Sequence, residues 1–318
     1  MKRVLSLALA LVMLFSLAAC SGAARRARVQ IVTTSFPLYD WTRNIVRGVS
    51  GVETTWLMDS GVDPHSFQPT TKDLVFVSDC DVFVYVGGES EAWADDAVAS
   101  MKNENALVVK LLDGLQETAL AEEDVPGAEP EEEEEAEGAL DEHIWMSLRA
   151  AERCVDLICD ALCEADSAND DIYRMNADDY KAQLQSLDQA YTEAVAASEL
   201  DTILVADRFP FRYLAEDYGL NYYAAFAGCS AETEASFQTV LGLSQQVDTL
   251  GLPVILVTEN GTGDIAEAVS EGSRNEPPVR TLDSLQSVTA ELDAQGVTYL
   301  SVMESNLEVL KEALAWHS

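Results

Sequence analysis

From Asp171 to Ser198 apolar residues recur at helical spacing: Ile172, Met175, Tyr180, Leu184, Leu187, Tyr191 and Val195. At ~1.5 Å per residue this is a helix on the order of 40 Å long, enough to run the length of a two-lobed molecule. On either side the chain alternates between short β-branched runs and helical patterns. Before it, Val29–Thr34, Val52–Met58, Asp81–Val86 and Ala106–Leu111 read as strands, with helix-like segments such as Trp41–Val46 between them. After it come strand Thr202–Ala206, helix Phe211–Tyr218, strand Tyr222–Ala227, helix Glu234–Thr249 and strand Pro253–Thr258. A helix from Asp264, strand Val279–Leu282 and a helix from Leu300 complete the series. Such alternation builds βαβ units and parallel sheets. The expected fold is α/β: two lobes, each a mainly parallel sheet flanked by helices, bridged by one long helix.

With 318 residues, 48% of them hydrophobic, the chain can bury a core in each lobe. Nineteen Lys and Arg against 56 Asp and Glu argue against nucleic acid, whose binding needs cationic contacts to phosphate. The first residues read as a targeting segment, with Lys2 and Arg3 ahead of the apolar run Val4–Leu17 and the cleavage site Leu17-Ala18-Ala19-Cys20. This resembles a bacterial lipobox, in which Cys20 carries the lipid and begins the mature chain. Removing residues 1–19 leaves the protein two charges more negative than −37. No later apolar stretch is long enough to span a bilayer. The expected division is 1–19 signal peptide, 20–27 tether, 28–166 first lobe, 167–199 bridging helix and 200–318 second lobe. Five cysteines remain: Cys80, Cys154, Cys159, Cys163 and Cys229. Cys159 and Cys163 read as small buried residues on one helix face, and the paired short spacings of a Cys-rich zinc site are absent.

Chemistry is expected at the strand ends, where open α/β sheets hold their ligands. His65 lies in Gly61-Val62-Asp63-Pro64-His65, just past an expected strand, where Pro64 restrains the backbone. His143 lies in Asp141-Glu142-His143-Ile144-Trp145, before a helical pattern. The chain has three histidines, and two of them in acidic loops ahead of helices point to a metal. In the second lobe Asp207, Glu259 and Asp283 each follow an expected strand. Each alone could equally be a helix N-cap. Together with two imidazoles they form a mixed nitrogen and oxygen set suited to zinc or manganese. The segment 121–138 carries five consecutive glutamates, Glu131–Glu135, and is expected to be a mobile acidic loop. Catalysis has no positive sign: H-E-x-x-H, the G-x-S-x-G elbow and a P-loop are all missing.

Several stretches, in order, make the chain similar to a known family. They are Thr33-Thr34-Ser35-Phe36-Pro37-Leu38-Tyr39, Gly61 to Thr70 around Asp63-Pro64-His65, Asp81 to Gly88, Glu142-His143-Ile144-Trp145 and Asp217-Tyr218-Gly219-Leu220. The chain resembles the metal-binding lipoproteins of bacterial zinc and manganese ABC importers, over nearly all its mature length. That resemblance implies a lipid-anchored, extracytoplasmic, monomeric receptor without catalytic activity. It would hold one Zn²⁺, with Mn²⁺ as the alternative, between its lobes and deliver it to a permease. The implied ligands are His65, His143 and Asp283. One position departs from the family: a gapless match sets Arg208 where members carry a third histidine or a glutamate. Arginine stays protonated and cannot ligate, so Asp207 is the expected replacement, with Arg208 pairing a carboxylate as the other possibility and Glu259 as a further ligand. Rival readings from other classes are a surface adhesion protein with a structural metal and a zinc-dependent hydrolase.

Overall fold

The computed structural model describes residues 29–129, 139–230 and 234–316. Cys20, the tether and the Glu131–Glu135 run lie outside these residues.

The first lobe runs β1 (Val29–Thr33), α1 (Phe36–Ile45), β2 (Val52–Trp56), α2 (Thr71–Asp79), β3 (Val82–Tyr85), α3 (Ala92–Ala99), β4 (Leu107–Lys110) and α4 (Leu111–Gly114). Its four strands are parallel, in the order β2-β1-β3-β4. Next come α5 (Leu148–Ala165) and the long α6 (Asp170–Ala196), whose 27 residues span about 40 Å. The second lobe follows with β5 (Thr202–Arg208), α7 (Arg212–Tyr218), β6 (Asn221–Phe226), α8 (Phe237–Leu250), β7 (Ile255–Val257), α9 (Asp264–Glu271), β8 (Val279–Thr281), α10 (Ala290–Ala294) and α11 (Tyr299–Ala313). Its sheet is again parallel, in the order β6-β5-β7-β8. Each expected strand is present to within a residue or two.

The period-2 geometry of the strands sorts the core into layers. Ile31, Val82 and Val84 of the first sheet and Ile203, Val205 and Leu256 of the second face one shared cluster, which also holds Tyr180, Leu184, Leu187 and Tyr191 of α6. The alternating residues Val32, Phe83 and Tyr85 face a separate outer layer of the first lobe, and Leu204, Ala206 and Ile255 one of the second. Helix α6 packs on α1 and α5 and also on α7 and α11. The bridge is therefore part of the core rather than a tether between two cores. Polar contacts tie it in: Tyr191 donates its hydroxyl to Met303 O at 2.6 Å, and Asn176 donates to Ile45 O and Arg47 O at 2.8 and 2.9 Å.

Residues 121–129 depart from the expectation of a mobile loop. Strand β6 lies at the edge of its sheet, so one side of its backbone is open to pairing. Ala224 N donates to Pro126 O at 3.1 Å, and Glu129 N to Ala225 O at 2.9 Å. An antiparallel bridge between Ala121 and Leu140 closes the base of the segment. Its acidity did not prevent ordering, because the hydrogen bonds come from the backbone.

Candidate metal centre

The carboxyl ends of both sheets meet at the junction of the lobes. The loop after β2 carries Gly61 with φ +72°, and a Cβ there would stand 2.8 Å from Ser287 O of the second lobe. Only glycine lets this loop pass so closely. Across the same seam Ala290 N donates to Asp59 O at 2.7 Å, and Trp145 Nε1 to Ser284 O at 2.8 Å.

Past Gly61 the chain makes a single 3₁₀ turn, Pro64–Ser66. Asp63 caps it, accepting from His65 N at 3.0 Å. His143 is reached differently, from the segment ahead of α5 rather than from a strand. The hydroxyl of Tyr213, on α7, donates to Asp141 O at 2.9 Å and accepts from Leu120 N at 3.0 Å, which fixes that segment. His143 is fully buried and His65 half-buried. Their Nε2 atoms stand 3.3 Å apart.

The other ring nitrogens set the tautomers. Asp141 Oδ1 accepts from both His143 N, at 2.8 Å, and His143 Nδ1, at 2.9 Å. That places the proton on Nδ1 and leaves the Nε2 lone pair free, the arrangement by which carboxylates orient metal-binding histidines. His65 Nδ1 lies 2.6 Å from Ser90 Oγ, which engages that nitrogen and orients the ring. The Gln286 amide nitrogen then sits 3.4 Å from His65 Nε2 and 3.2 Å from His143 Nε2. The amide nitrogen thus occupies the point on which both ring nitrogens converge.

Electrostatics separate the two rings. Burial first, and His143 second, pull the His65 imidazolium down to about 4, so the ring is neutral at neutral pH. Burial disfavours the His143 cation too, but the Asp141 carboxylate against Nδ1 outweighs it and raises the ring above its ordinary value. Beside them is a cleft of about 240 Å³ lined by His65, Glu89, Ser90, Glu122, Glu142 and Cys229. Its three glutamates attract a cation and repel an anion.

The expected carboxylates behave differently from the histidines. Among the described residues, the His, Cys, Asp and Glu side chains whose ligand atoms converge within 4.8 Å are His65, His143 and Cys229. Asp207 is not with them. Its Oδ2 accepts from Thr258 N and Thr258 Oγ1 at 3.2 and 2.6 Å, and its Oδ1 from Arg208 N at 2.8 Å. The pairing of β5 with β6 shifts in register between Val205 and Arg208, and across this irregularity Asp207 stays on Thr258 of its own lobe while Arg208 reaches the lobe junction. Arg208 Nη2 meets Asp63 Oδ2 at 2.6 Å, across the lobes. Burial pushes the Asp63 carboxyl up, but Arg208 outweighs it and holds the group below its usual range. The geometry pairs Arg208 with a carboxylate and engages both oxygens of Asp207 within its own lobe.

Glu259 is committed to its own lobe, accepting from Ser284 N, Ser284 Oγ, Gln286 N and Ser287 Oγ at 2.7 to 3.2 Å. Asp283 follows β8, with Oδ1 accepting from Leu285 N at 2.7 Å. Burial, then the neighbouring Glu259, push its carboxyl up to about 7. Sequence reasoning passed over Ser90, Asp141, Cys229 and Gln286 as site residues. A serine, a glutamine and a single cysteine carry no spacing signal, whereas Asp141, two residues before a candidate histidine, could have been found.

The chain matches the zinc-uptake complex component A, periplasmic, over residues 31–313. It belongs to this family. It is 30% identical over 295 residues to the high-affinity zinc uptake system protein ZnuA of Bacillus subtilis, covering 90% of this chain and 88% of that one. It is also 30% identical over 292 residues to the zinc-binding protein AdcA of Streptococcus pyogenes, covering 89% of this chain but 56% of AdcA. The chain thus spans just over half the length of the AdcA relatives. Among solved structures, the Zn(II)-bound ZnuA-like domain of Streptococcus pneumoniae AdcA superimposes with a TM-score of 0.71 at 27% identity, over 90% of this chain and 98% of that one. The two-lobed fold is that of these zinc-binding relatives.

Proposed function

We propose that this protein is the extracytoplasmic receptor of a zinc importer, binding one Zn²⁺ between its lobes and passing it to an ABC permease. The observation that carries this reading is the His65–His143 pair. Two nitrogens each ~2.0–2.1 Å from a tetrahedral zinc ion stand about 3.3–3.4 Å apart. The two Nε2 atoms are 3.3 Å apart, and both rings have their other nitrogen engaged. His65 and His143 are the first lobe's ligands in this reading, and Asp283 is the candidate for a fourth position through the oxygen not held by Leu285. Asp207 and Glu259 serve the loops of the second lobe. Lipid attachment at Cys20 would keep the receptor near its permease, since release into the medium would lose the captured metal. Catalysis has no part in the proposal, in which zinc is cargo.

Isothermal titration of the full chain with zinc and with manganese tests the site. One tight zinc site is expected, severely weakened in His65→Ala and His143→Ala while circular dichroism stays native. Near-native affinity in both variants would falsify the site. Zinc uptake by cells lacking the protein, with and without complementation, tests the transport role, and manganese dependence instead of zinc would favour the other metal.

A further inference from the structure

Resting on the receptor reading above, we propose that the Cys229 thiolate is the second lobe's metal ligand and makes this an N₂S centre that favours zinc over manganese. It takes the role for which a histidine or carboxylate at the end of β5 was expected. The observations come from three directions.

The first is position. Cys229 Sγ lies within 4.8 Å of the ligand atoms of both His65 and His143. In a closed tetrahedral site, with Zn–S ~2.3 Å and Zn–N ~2.05 Å, sulfur and nitrogen would stand about 3.6 Å apart. Closing that difference takes a movement of roughly an ångström. The residue before it holds the loop in place: a Cβ on Gly228 would stand 3.2 Å from His143 Cε1 and 2.9 Å from Phe209 O. The backbone after β6 therefore runs against the buried imidazole and delivers the next side chain to its edge.

The second is competition. Arg208 is held by Asp63, Asp207 by Thr258, and Glu259 by the 284–287 turn. The remaining described cysteines, Cys80, Cys154, Cys159 and Cys163, are buried in the cores, so Cys229 is the thiol at the cleft.

The third is the proton. Cys229 Sγ donates to Glu122 Oε1 at 3.3 Å. When zinc binds, the S–H bond breaks, its electron pair stays on sulfur and forms the Zn–S bond, and the proton passes to the Glu122 carboxylate. Glu122 is half-exposed and returns it to solvent. Thiolate is a soft ligand, well matched to zinc and poorly to manganese.

Cobalt(II) titration of the full chain under reducing conditions tests this, because a thiolate bonded to cobalt gives a near-ultraviolet charge-transfer absorption that nitrogen and oxygen ligands do not. The native protein should show that absorption saturating at one equivalent, and Cys229→Ser should lose it. In Cys229→Ser, zinc affinity should fall by more than the roughly 10–100-fold typical of a partner one shell further out, and the preference for zinc over manganese should shrink. Stoichiometric cobalt binding without the absorption would overturn the proposal, as would native zinc affinity in folded Cys229→Ser. The receptor reading survives either result if His65→Ala still abolishes zinc binding. A native chain that binds neither cobalt nor zinc would sink both.

Discussion

Asp141 shows how much of the proposed metal centre rests on a residue that would touch no metal. One of its oxygens accepts from the backbone and the ring of His143 at once. In Asp141→Ala the buried ring loses both its orientation and the partner that keeps its proton on Nδ1. Zinc affinity should fall about 10–100-fold, measured by competition with a chromophoric chelator, while the circular dichroism spectrum stays native. Arg208 is the second such residue. Its ion pair with Asp63, whose other oxygen caps the turn bearing His65, connects the second lobe to a proposed first-lobe ligand. Arg208→Ala should therefore weaken zinc binding more than Asp207→Ala does, and titrating the two variants side by side checks the order. Equal affinities would mean that the Pro64–Ser66 turn holds His65 unaided.

At the scale of elements, α6 and the 121–129 segment each do something their composition hides. Helix α6 supplies Asn176, 5% exposed, whose amide closes two carbonyls at the C-terminal end of α1. Asn176→Ala leaves those acceptors without that donor and should cost about 1–3 kcal/mol of stability, read from urea unfolding, with zinc affinity unchanged. The acidic segment divides into two parts with different expected behaviour. Removing residues 130–138 alone should leave the high-affinity site as it is and slow metal capture at low salt. That difference should vanish as salt rises, since the field of a run of glutamates is screened beyond about 8–10 Å at physiological ionic strength. Removing residues 121–138 also takes Glu122 and the pairing along β6, so it should lower affinity as well. Calorimetry of the two deletions beside stopped-flow capture separates these contributions.

Across the whole molecule, zinc in this reading bonds to groups from both lobes, so binding and stability are linked. Free zinc at a thousand times its Kd should stabilise the native state by about 4 kcal/mol. It should appear as a clear rise in Tm for the native chain and as almost none for His143→Ala. A full rise in the variant would place the metal elsewhere. The shared core around α6 also bears on unfolding: with Val84 of one lobe and Val205 of the other packed into one cluster, the two lobes should melt in a single transition with or without metal.

The two alternating series, the helix between them and the placement of His65 past a strand were legible because they depend on local periodicity. Apolar spacing decides strand or helix, and Pro64 and Gly61 shape a loop, without reference to distant residues. The family resemblance was legible for a related reason, since its motifs are contiguous stretches such as Asp63-Pro64-His65. What could not be read locally was which side chains from separate loops converge. Asp207 and Arg208 are adjacent in sequence, and the shift in register between Val205 and Arg208, set by how β5 pairs with β6, decides which one faces the other lobe. Cys229 lies 86 positions from His143 and meets it because Gly228 lets the backbone pass against the ring. The order of residues 121–129 likewise needed β6 to be an edge strand, a property of the assembled sheet. Local sequence determines the elements and their capped loops; convergence at the lobe junction is decided by tertiary packing, because a distance between loops belongs to neither loop alone.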